Sequence, residues 1–283
     1  MGILLVAWIG GLKWSRTHRD RLQVTCLDVG HGQAIVARLP GTKTILFDAG
    51  SMYRRDIGSR IVLPFLNSMG IDSLEAIIIS HSDIDHVNGI PEIVADCKVR
   101  HIYACEALFA RAQDDLTAGL LVKALAEMGR VVEPLPRLFE TDQMAIRAIW
   151  PPDEPVCNAD FDDNNRSLVT LIEFGNARIL LCSDIEEAAQ QQLLVRYPDL
   201  TVDVAVVPHH GSTVTQDRMF LQRLTPSVQI CSCDQKQYTR RANLAEEENG
   251  REFYTARNGA ITICVEDGGV VSTTGQIRHP EGD

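Results

Sequence analysis

The sequence lacks cysteine pairs of the Cys-x-x-Cys type, although eight cysteines are spread along its 283 residues. Structural zinc knuckles are usually built from such pairs, so this spacing argues against one. Several cysteines lie in apolar runs, as Cys26, Cys182 and Cys264 do, and we expect buried thiols that act as small hydrophobic side chains. Cys231 and Cys233 share a face of a predicted strand, but a disulfide between such near neighbours would be strained.

A surplus of basic residues is also absent. The chain has 27 Lys and Arg against 38 Asp and Glu, which gives a formal net charge of −11. Nucleic-acid-binding proteins usually present a basic surface, so the bulk charge does not indicate one. It does not exclude one either, because carboxylates that hold cations form a positive site once the metal is bound.

No apolar run is long enough to cross a bilayer, which takes about 20 residues. Residues 1–12 are apolar, but they lack the basic start and the small-residue cleavage site of a signal peptide. Three interpretations stay open: a remnant of a longer membrane segment, which we favour, an interfacial anchor, or a first strand or helix. We therefore divide the chain into an apolar segment at 1–20 and a single domain at 21–283.

Short apolar runs alternate with helical segments through the rest of the chain. Strand-length runs bounded by glycine and proline predict a hairpin-rich start at 22–49, and apolar spacing predicts a helix at 57–70 that ends at a glycine. A continuous apolar run at 74–80 predicts a strand buried on both faces. Further helices are predicted at 106–129, 186–197 and 217–224, strands at 202–208 and 227–233, a polar segment after it, and a hairpin at 261–273. This alternation predicts a layered α/β protein with mixed sheets.

The strongest chemical signal is the sequence HSDIDH, which follows the buried strand directly. It places four potential metal ligands, His81, Asp83, Asp85 and His86, within six residues. Imidazole and carboxylate groups together suit zinc, manganese or iron. Without a cation these groups would lose solvation and the carboxylates would repel one another, so we favour a metal site over a solvated acidic turn.

Three more apolar strands end in residues of the same chemical kind. Asp48 ends TILFDAG, Asp184 ends ILLCSD, and the adjacent His209 and His210 end VAVVPHHGS. Each residue alone could belong to a turn, and Asp184 could equally cap the helix that follows it. Together with HSDIDH they form a set of strand ends at which α/β sheets place their sites.

These motifs resemble those of the metallo-β-lactamase superfamily and, more closely, the C-terminal hydrolase domain of the ComEC family of DNA-uptake (competence) proteins. That family replaces the usual HxHxDH by HxDxDH, which HSDIDH matches. LDVGHGQA, NNRSLV, ILLCSDIE and VPHHGS follow the family's order, and the resemblance covers about residues 22–265. It implies a four-layered αβ/βα sandwich, with two mixed sheets flanked by helices and a dinuclear centre between them.

The chain departs from the family pattern at several positions. The family's first motif usually reads DVGQGD, whereas His31 and Gln33 stand here in place of its Gln and its last Asp. The usual glycine before the bridging aspartate is Ser183. The family's Asn–x–Tyr–Gly–His–Pro element is reduced to a candidate tyrosine, Tyr238, without the His–Pro. These changes favour an altered substrate or a weakened activity.

The resemblance implies a role for each candidate ligand. His81 and Asp83 would bind one ion, Asp85 and His86 the second, Asp184 would bridge the two, and His209 would complete the set, with His210 as its rival. Asp85 and Asp184 are the candidate catalytic residues, with Asp85 holding and deprotonating the attacking water.

Four further residues are candidates near the site. Asp48 would orient a ligand, as metal-bound imidazoles usually require. Asn165 and Ser167 stand where the superfamily often has another histidine ligand, which predicts one more open metal position. His31 lies near the site by the same resemblance, but an ordinary loop histidine is an equal alternative.

The expected cofactors are two divalent ions, zinc or manganese, which together can activate water and stabilise a leaving oxygen. The resemblance implies a nuclease or phosphodiesterase that acts on DNA, most simply single-stranded DNA, in DNA uptake. It would work at or near the bacterial membrane, beside a membrane-embedded channel portion of the same or a neighbouring protein. The alternatives are a small-molecule amide, ester or thioester hydrolase, and a weakened metal- or DNA-binding module.

Overall fold

A computed structural model of the chain describes residues 20–105, 108–109, 112, 116–141, 144–152, 161–242, 251–266 and 271–275. Two β-sheets dominate these residues. The first sheet has eight strands in the order β15-β14-β1-β2-β3-β4-β5-β6. Its strands are β1 (Leu22–Cys26), β2 (Ile35–Arg38), β3 (Thr44–Phe47), β4 (Ser73–Ile79), β5 (Lys98–Ala104), β6 (Glu133–Pro134), β14 (Ile261–Val265) and β15 (Val271–Gly275).

The second sheet has seven strands in the order β13-β12-β11-β10-β9-β8-β7. Its strands are β7 (Leu138–Glu140), β8 (Met144–Trp150), β9 (Val169–Phe174), β10 (Ala177–Leu181), β11 (Val204–Val206), β12 (Val228–Cys231) and β13 (Arg251–Tyr254). Both sheets are mixed. In the first, β3, β4 and β5 run parallel, and in the second, β10 to β13 do.

Helices connect the strands. They are α1 (Leu63–Ser68), α2 (Ile84–Val87), α3 (Ile90–Asp96), α4 (Leu116–Glu127), α5 (Glu187–Arg196), α6 (Arg218–Leu224), α7 (Gln235–Ala242) and α8 (Thr255–Asn258). A π-helical turn, Gly58–Val62, leads into α1. Within the described residues, no helix combines the length and the apolar character that crossing a bilayer requires.

Three hydrophobic clusters define the layers. One contains residues of both sheets, such as Ile78 of β4 and Val206 of β11, and therefore lies between the sheets. The second joins the outer face of the first sheet, including Ile77, to Ile93 of α3 and Leu125 of α4. The third covers the outer face of the second sheet with α5 and α6. Because strand side chains alternate between faces, this arrangement gives the predicted four layers, helices, sheet, sheet and helices.

Most predicted elements are present. The helix expected at 57–70 consists of the π-helical turn and α1, and Gly70 follows it at φ +68, a backbone angle that favours glycine. The helix expected at 106–129 is described from Leu116 to Glu127. The polar segment after Cys233 contains a helix, α7, that the sequence analysis did not predict. The cysteines within the described residues are free thiols, as expected. The membrane-segment remnant predicted at 1–20 lies almost wholly outside the described residues.

Candidate metal centre

The predicted strand ends meet at one place in the structure. Asp48 follows β3, HSDIDH follows β4, Asp184 follows β10, and His209 and His210 follow β11. β3 and β4 run parallel in the first sheet, and β10 and β11 run parallel in the second. The carboxyl ends of these four strands therefore converge at one edge of the sandwich.

Four buried side chains form the core of the site: Asp85, His86, Asp184 and His210. A ligand atom from each lies within 4.8 Å of all the others. The Nε2 atom of His86 lies 3.2 Å from Oδ1 of Asp184, and Nε2 of His210 lies 3.5 Å from Oδ2 of the same carboxylate. The Nε2 atom of His210 is also 3.3 Å from Oδ2 of Asp85. Each oxygen of Asp184 therefore lies close to one of the two core histidines. No other group of this kind occurs among the described residues.

Several atoms that face this core have no hydrogen-bond partner among the described residues. They are Nε2 of His86, Nε2 of His210 and Oδ1 of Asp184, and all are buried. A buried polar atom without a partner costs about 1–3 kcal/mol. A divalent cation would satisfy all three at once, and imidazole nitrogens with carboxylate oxygens are suitable ligands for zinc or manganese. The residues therefore fit the metal that the sequence predicts.

Without a metal ion, strong ion pairing dominates the electrostatics of the core. Burial alone would lower the pKa of His86, but the Asp184 and Asp48 carboxylates raise it well above its usual value. The pKa of His210 is raised in the same way by Asp184 and Asp85, against the effect of burial. Burial would raise the pKa of Asp85, but the nearby His210 ring and the charge on His86 lower it to about 2. The pKa of Asp184 is held well below its usual range because the opposing effect of burial is outweighed by His210 and His86.

The carboxylate of Asp48 orients two of the histidines. It is fully buried and accepts hydrogen bonds from Gln33 Nε2, the Ser80 backbone N–H, the Ser80 hydroxyl and His86 Nδ1, at 2.7 to 2.9 Å. Because His86 donates through Nδ1, its Nε2 points into the core. The Ser80 hydroxyl in turn accepts from Nδ1 of His81 at 2.9 Å, which directs Nε2 of that ring inward as well. This supports the predicted orienting role of Asp48.

His210 is fixed by a different partner. Its Nδ1 donates to the Ser232 carbonyl oxygen at 3.0 Å, and the Ser232 hydroxyl donates to the Gly32 carbonyl oxygen at 2.7 Å. Ser80 and Ser232 were not identified as site residues from the sequence. Ser80 stands directly before His81 at the strand end, which is the signal that could have found it. Ser232 contacts a residue 200 positions away, and local sequence carries no such signal.

His81 and Asp83 form a more open part of the site. Nε2 of His81 is buried without a partner and lies 3.7 Å from Oδ2 of Asp83, whose side chain is 47% exposed. Burial, followed by the charge on His86, lowers the pKa of His81 to about 4. Burial, followed by the charge on Asp85, raises the pKa of Asp83. Neither residue belongs to the four-residue core, although both border it.

His210, and not His209, is the second histidine of the core beside His86. The sequence pattern favoured His209, with His210 as its rival. Both residues have left-handed backbone angles, φ 45 and φ 54, so the chain turns sharply and directs the two rings apart. The ring of His209 lies at the edge, with Nδ1 3.1 Å from the Thr215 hydroxyl oxygen and 3.2 Å from a Glu186 carboxylate oxygen. Its Nε2 lies 4.0 Å from Asp184.

Asn165 and Ser167 have structural partners. The Asn165 side-chain oxygen accepts from the backbone N–H groups of Glu186 and Ala189, so it caps the start of α5. The Ser167 hydroxyl accepts from the backbone N–H of Asp184 at 3.2 Å and thereby helps to hold that residue. Asp184 itself is not the cap of α5, whose N-cap residue is Glu186. Neither Asn165 nor Ser167 supplies a ligand atom to the core.

The remaining two candidates differ in their distance from the core. Nε2 of His31 lies 3.4 Å from Oδ2 of Asp85, and its ring centroid is 5.0 Å from that of His210, so His31 borders the site. Tyr238 packs against the outer hydrophobic cluster, with its ring 5.0 Å from that of Tyr254. The expectation that Tyr238 takes the place of the family's tyrosine at the site therefore finds no support.

The backbone around the core is strained and closely packed. Asp48 and Ser183 have φ 53 and φ 51, which cost about 1–3 kcal/mol each in residues other than glycine. The family's usual glycine at position 183 would avoid this cost. A Cβ atom on Gly50 would lie 2.3 Å from backbone atoms of Asp85 and His86, and one on Gly32 would lie 2.3 Å from the Gly50 carbonyl oxygen. Three chain segments thus meet at distances that only glycine permits.

Comparison with known proteins gives the class of this domain. Residues 27–152 match the family model of the metallo-beta-lactamase superfamily. Together with the two mixed sheets and the core of histidines and aspartates, this match identifies a metallo-β-lactamase domain with a candidate metal site.

Individual proteins that match most of this chain include competence-related proteins. The chain is 24% identical over 261 residues to ComE operon protein 3 of Bacillus subtilis, covering 84% of this chain and 32% of the relative. It is 24% identical over 231 residues to competence protein ComA of Neisseria gonorrhoeae, covering 81% and 30%. The chain therefore spans about a third of the length of these relatives.

A solved structure supports the fold alone. A diphosphatase of the PhnP family superposes with a TM-score of 0.52 at 13% sequence identity, covering 89% of this chain and all of that one. At this identity the shared fold does not carry the reaction across, because one fold supports many chemistries.

Proposed function

We propose that this chain is a metal-dependent phosphodiesterase that cleaves single-stranded DNA in connection with DNA uptake. The buried core carries the proposal, because the ligand atoms of His86, Asp184 and His210 face one another without other partners. The link to DNA comes from the similarity to competence protein ComA and to ComE operon protein 3. Since those relatives are about three times as long, we further propose that the domain works beside a membrane-embedded portion of the same or a neighbouring protein.

The core would hold one of two divalent ions, zinc or manganese. Asp85, His86, Asp184 and His210 would hold that ion. His81 and Asp83 would hold the other ion, with Asp184 as the residue common to both. His210 takes the role that the sequence analysis gave first to His209, because its Nε2 faces both core carboxylates.

When bound, such ions lower the pKa of a water molecule and stabilise charge on the phosphoryl and leaving oxygens. The protein orients the side chains that would bind these ions. Asp48 and the Ser232 carbonyl fix the two core histidines so that their Nε2 atoms face inward. Asp85 is ionised at neutral pH, because its pKa is about 2. We assign Asp85 the orientation of the attacking water, because its carboxylate lies at the core between His210 and His31.

The test is metal analysis combined with a cleavage assay. The purified chain is expected to bind metal and to cut labelled single-stranded DNA when Mn²⁺ is added, whereas Asp184→Asn should lose both properties. Asp199→Asn is the matched control, since it changes an exposed aspartate beyond α5, near the opposite ends of the strands.

Each other outcome has a definite meaning. Bound metal and turnover of a chromogenic lactam or thioester, without DNA cleavage, would reassign the domain to small-molecule hydrolysis. A chain without stoichiometric metal would be a binding module and not an enzyme.

A further inference from the structure

The loop at residues 51–56, here called the rim loop, lies beside the metal site in a fixed position. Asn88, which follows HSDIDH closely, donates through Nδ2 to the carbonyl oxygens of Ser51 and Arg54 at 2.7 and 3.0 Å and accepts from the Ser51 backbone N–H at 3.0 Å. The Met52 backbone N–H donates to the His31 carbonyl oxygen at 2.7 Å. The rim loop is thus held both to the helix that carries Asp85 and to the loop that carries His31.

The rim loop presents an aromatic ring to solvent next to the core. The side chain of Tyr53 is 72% exposed, although the chain has few aromatic residues. Its ring centroid lies 5.8 Å from that of His31, at 75° between the ring planes, and Nε2 of His31 lies 3.4 Å from Asp85. Only one side chain therefore separates the exposed tyrosine from a core carboxylate.

The same loop carries positive charge in an acidic protein. Arg54 and Arg55 follow Tyr53, and both are exposed. The nearest acidic residue in the sequence, Asp56, forms its ion pair with Arg60. An aromatic ring beside two arginines suits a ligand that offers both a flat ring and phosphate groups.

We infer that the rim loop is a binding platform for a single nucleic-acid strand, on which Tyr53 stacks a base next to the scissile phosphate while Arg54 and Arg55 contact flanking phosphates. This inference rests on the proposed function and specifies its substrate. Stacking on a protein aromatic requires an unpaired base, since the bases of a duplex are already stacked on one another. The platform therefore selects single strands over duplexes.

Two further exposed apolar residues border the same site. Ile84, between Asp83 and Asp85, is 46% exposed, and Val214, shortly after His210, is 89% exposed. The segments that follow β3, β4 and β11 thus each present an aromatic or apolar side chain to solvent. Apolar contacts with bases and sugars would cover these side chains in the complex.

Binding of a fluorescent single-stranded oligonucleotide to the full chain, with metal present, tests the inference. Tyr53→Ala is expected to weaken binding roughly 5- to 150-fold, as loss of one stacked base does. Tyr53→Phe keeps the ring and should bind within about twofold of the wild type. Removing both arginines should lower the slope of log affinity against log salt by roughly 1.4. Arg100→Ala, an exposed arginine near the amino end of β5, is the matched control.

A second assay separates this inference from the proposed function. Its substrate is bis(4-nitrophenyl) phosphate, a small phosphodiester that has no nucleobase and no flanking phosphates. The wild type and the Arg100→Ala control should both hydrolyse it, which tests the phosphodiesterase without an oligonucleotide. Unchanged oligonucleotide binding in Tyr53→Ala, or equal affinity of the wild type for duplex, overturns the platform and leaves the phosphodiesterase intact. If the wild type hydrolyses no phosphodiester, the proposed function fails, while the binding measurements still decide whether the rim loop holds a single strand.

Discussion

The two sides of the metal site differ in how firmly their ligands are held. On one side, here called the anchored half, His86 and His210 are fully buried and each donates its Nδ1–H to a buried acceptor, the Asp48 carboxylate or the Ser232 carbonyl. On the other, here called the open half, His81 is buried but Asp83 has a side chain that is 47% exposed. The first arrangement is rigid before any metal binds, whereas the second depends on a carboxylate that is free to move in solvent.

The difference shows that one short motif, HSDIDH, can place some of its residues in a buried environment and others in a partly exposed one. HSDIDH supplies residues to both halves, yet Asp85 and His86 lie on α2 and are buried, while Asp83 is the residue before that helix, with extended backbone angles. Preorganisation therefore comes from distant residues that the motif does not contain. We expect the anchored half to determine metal affinity and the open half to determine access.

The largest expected effect concerns the two adjacent histidines. His210→Ala removes a core ligand and should weaken metal binding more than about 100-fold. Even residues that only hydrogen-bond to a metal ligand change metal affinity by about 10- to 100-fold when they are replaced. His209→Ala removes a ring at the edge and should change metal affinity less than about tenfold. Metal dissociation constants of the two variants check this difference, and the reverse ranking would restore His209 as the ligand.

The next largest effect on metal binding is expected for Asp48, whose carboxylate accepts a hydrogen bond from His86 in the anchored half. Asp48→Asn replaces an acceptor of several hydrogen bonds with an amide whose NH₂ group meets the Ser80 hydroxyl and Gln33. We expect about 10- to 100-fold weaker metal binding and a loss of about 1–3 kcal/mol in the free energy of unfolding of the metal-free protein. Competition with a chelator and denaturant unfolding measure the two quantities. A variant with wild-type metal affinity would contradict the orienting role of Asp48.

The pH dependence of metal binding should also arise in the anchored half. The pKa values of His86 and His210 are raised in the metal-free protein, so these rings retain protons that a metal ion must displace. The pKa of His81 is about 4, so that ring is already neutral at pH 6. Metal affinity should therefore fall by up to about tenfold per pH unit for each displaced proton as the pH drops from 8 to 6. Calorimetry in buffers of different ionisation enthalpy counts the protons, and binding without proton release would contradict this assignment.

The smallest expected effect belongs to the open half. Asp83→Asn should weaken the binding of one metal equivalent by about tenfold and leave the other nearly unchanged, because the exposed side chain contributes little preorganisation. Stepwise metal titration followed by metal analysis distinguishes the two equivalents. If both equivalents weaken together, the two halves are not independent.

The residue pattern predicted a layered α/β protein with mixed sheets and the strand ends that supply the core, and the family resemblance supplied the four-layered arrangement. Apolar runs and turn residues are local signals, and a polar residue after a buried strand stands out from its surroundings. Asp85, His86 and Asp184 were identified in this way, and the resemblance to known hydrolases supplied their proposed roles. The structure brings them together because the strands before them end at one edge of the sandwich.

The remaining features depend on backbone angles and long-range contacts. Which of His209 and His210 faces inward depends on two successive left-handed residues, which no pattern of residue types specifies. Asn165 and Ser167 were candidates for an open metal position, but one caps α5 and the other holds Asp184. The helix α7 was missed because its sequence contains few apolar residues, and it is held in part by Arg241, which hydrogen-bonds to Gln216 and Glu252.

The close contacts of Gly32 and Gly50 have a consequence for the order of folding. Gly50 packs against the backbone of Asp85 and His86, and Gly32 accepts a hydrogen bond from Ser232 of the other sheet. The core thus unites residues from both sheets, far apart in the chain, and such non-local contacts form slowly because long loops must close first. A nascent chain would therefore present no finished metal site until β12 and Ser232 had joined the sandwich. Metal uptake by this domain would then report that the two sheets have come together.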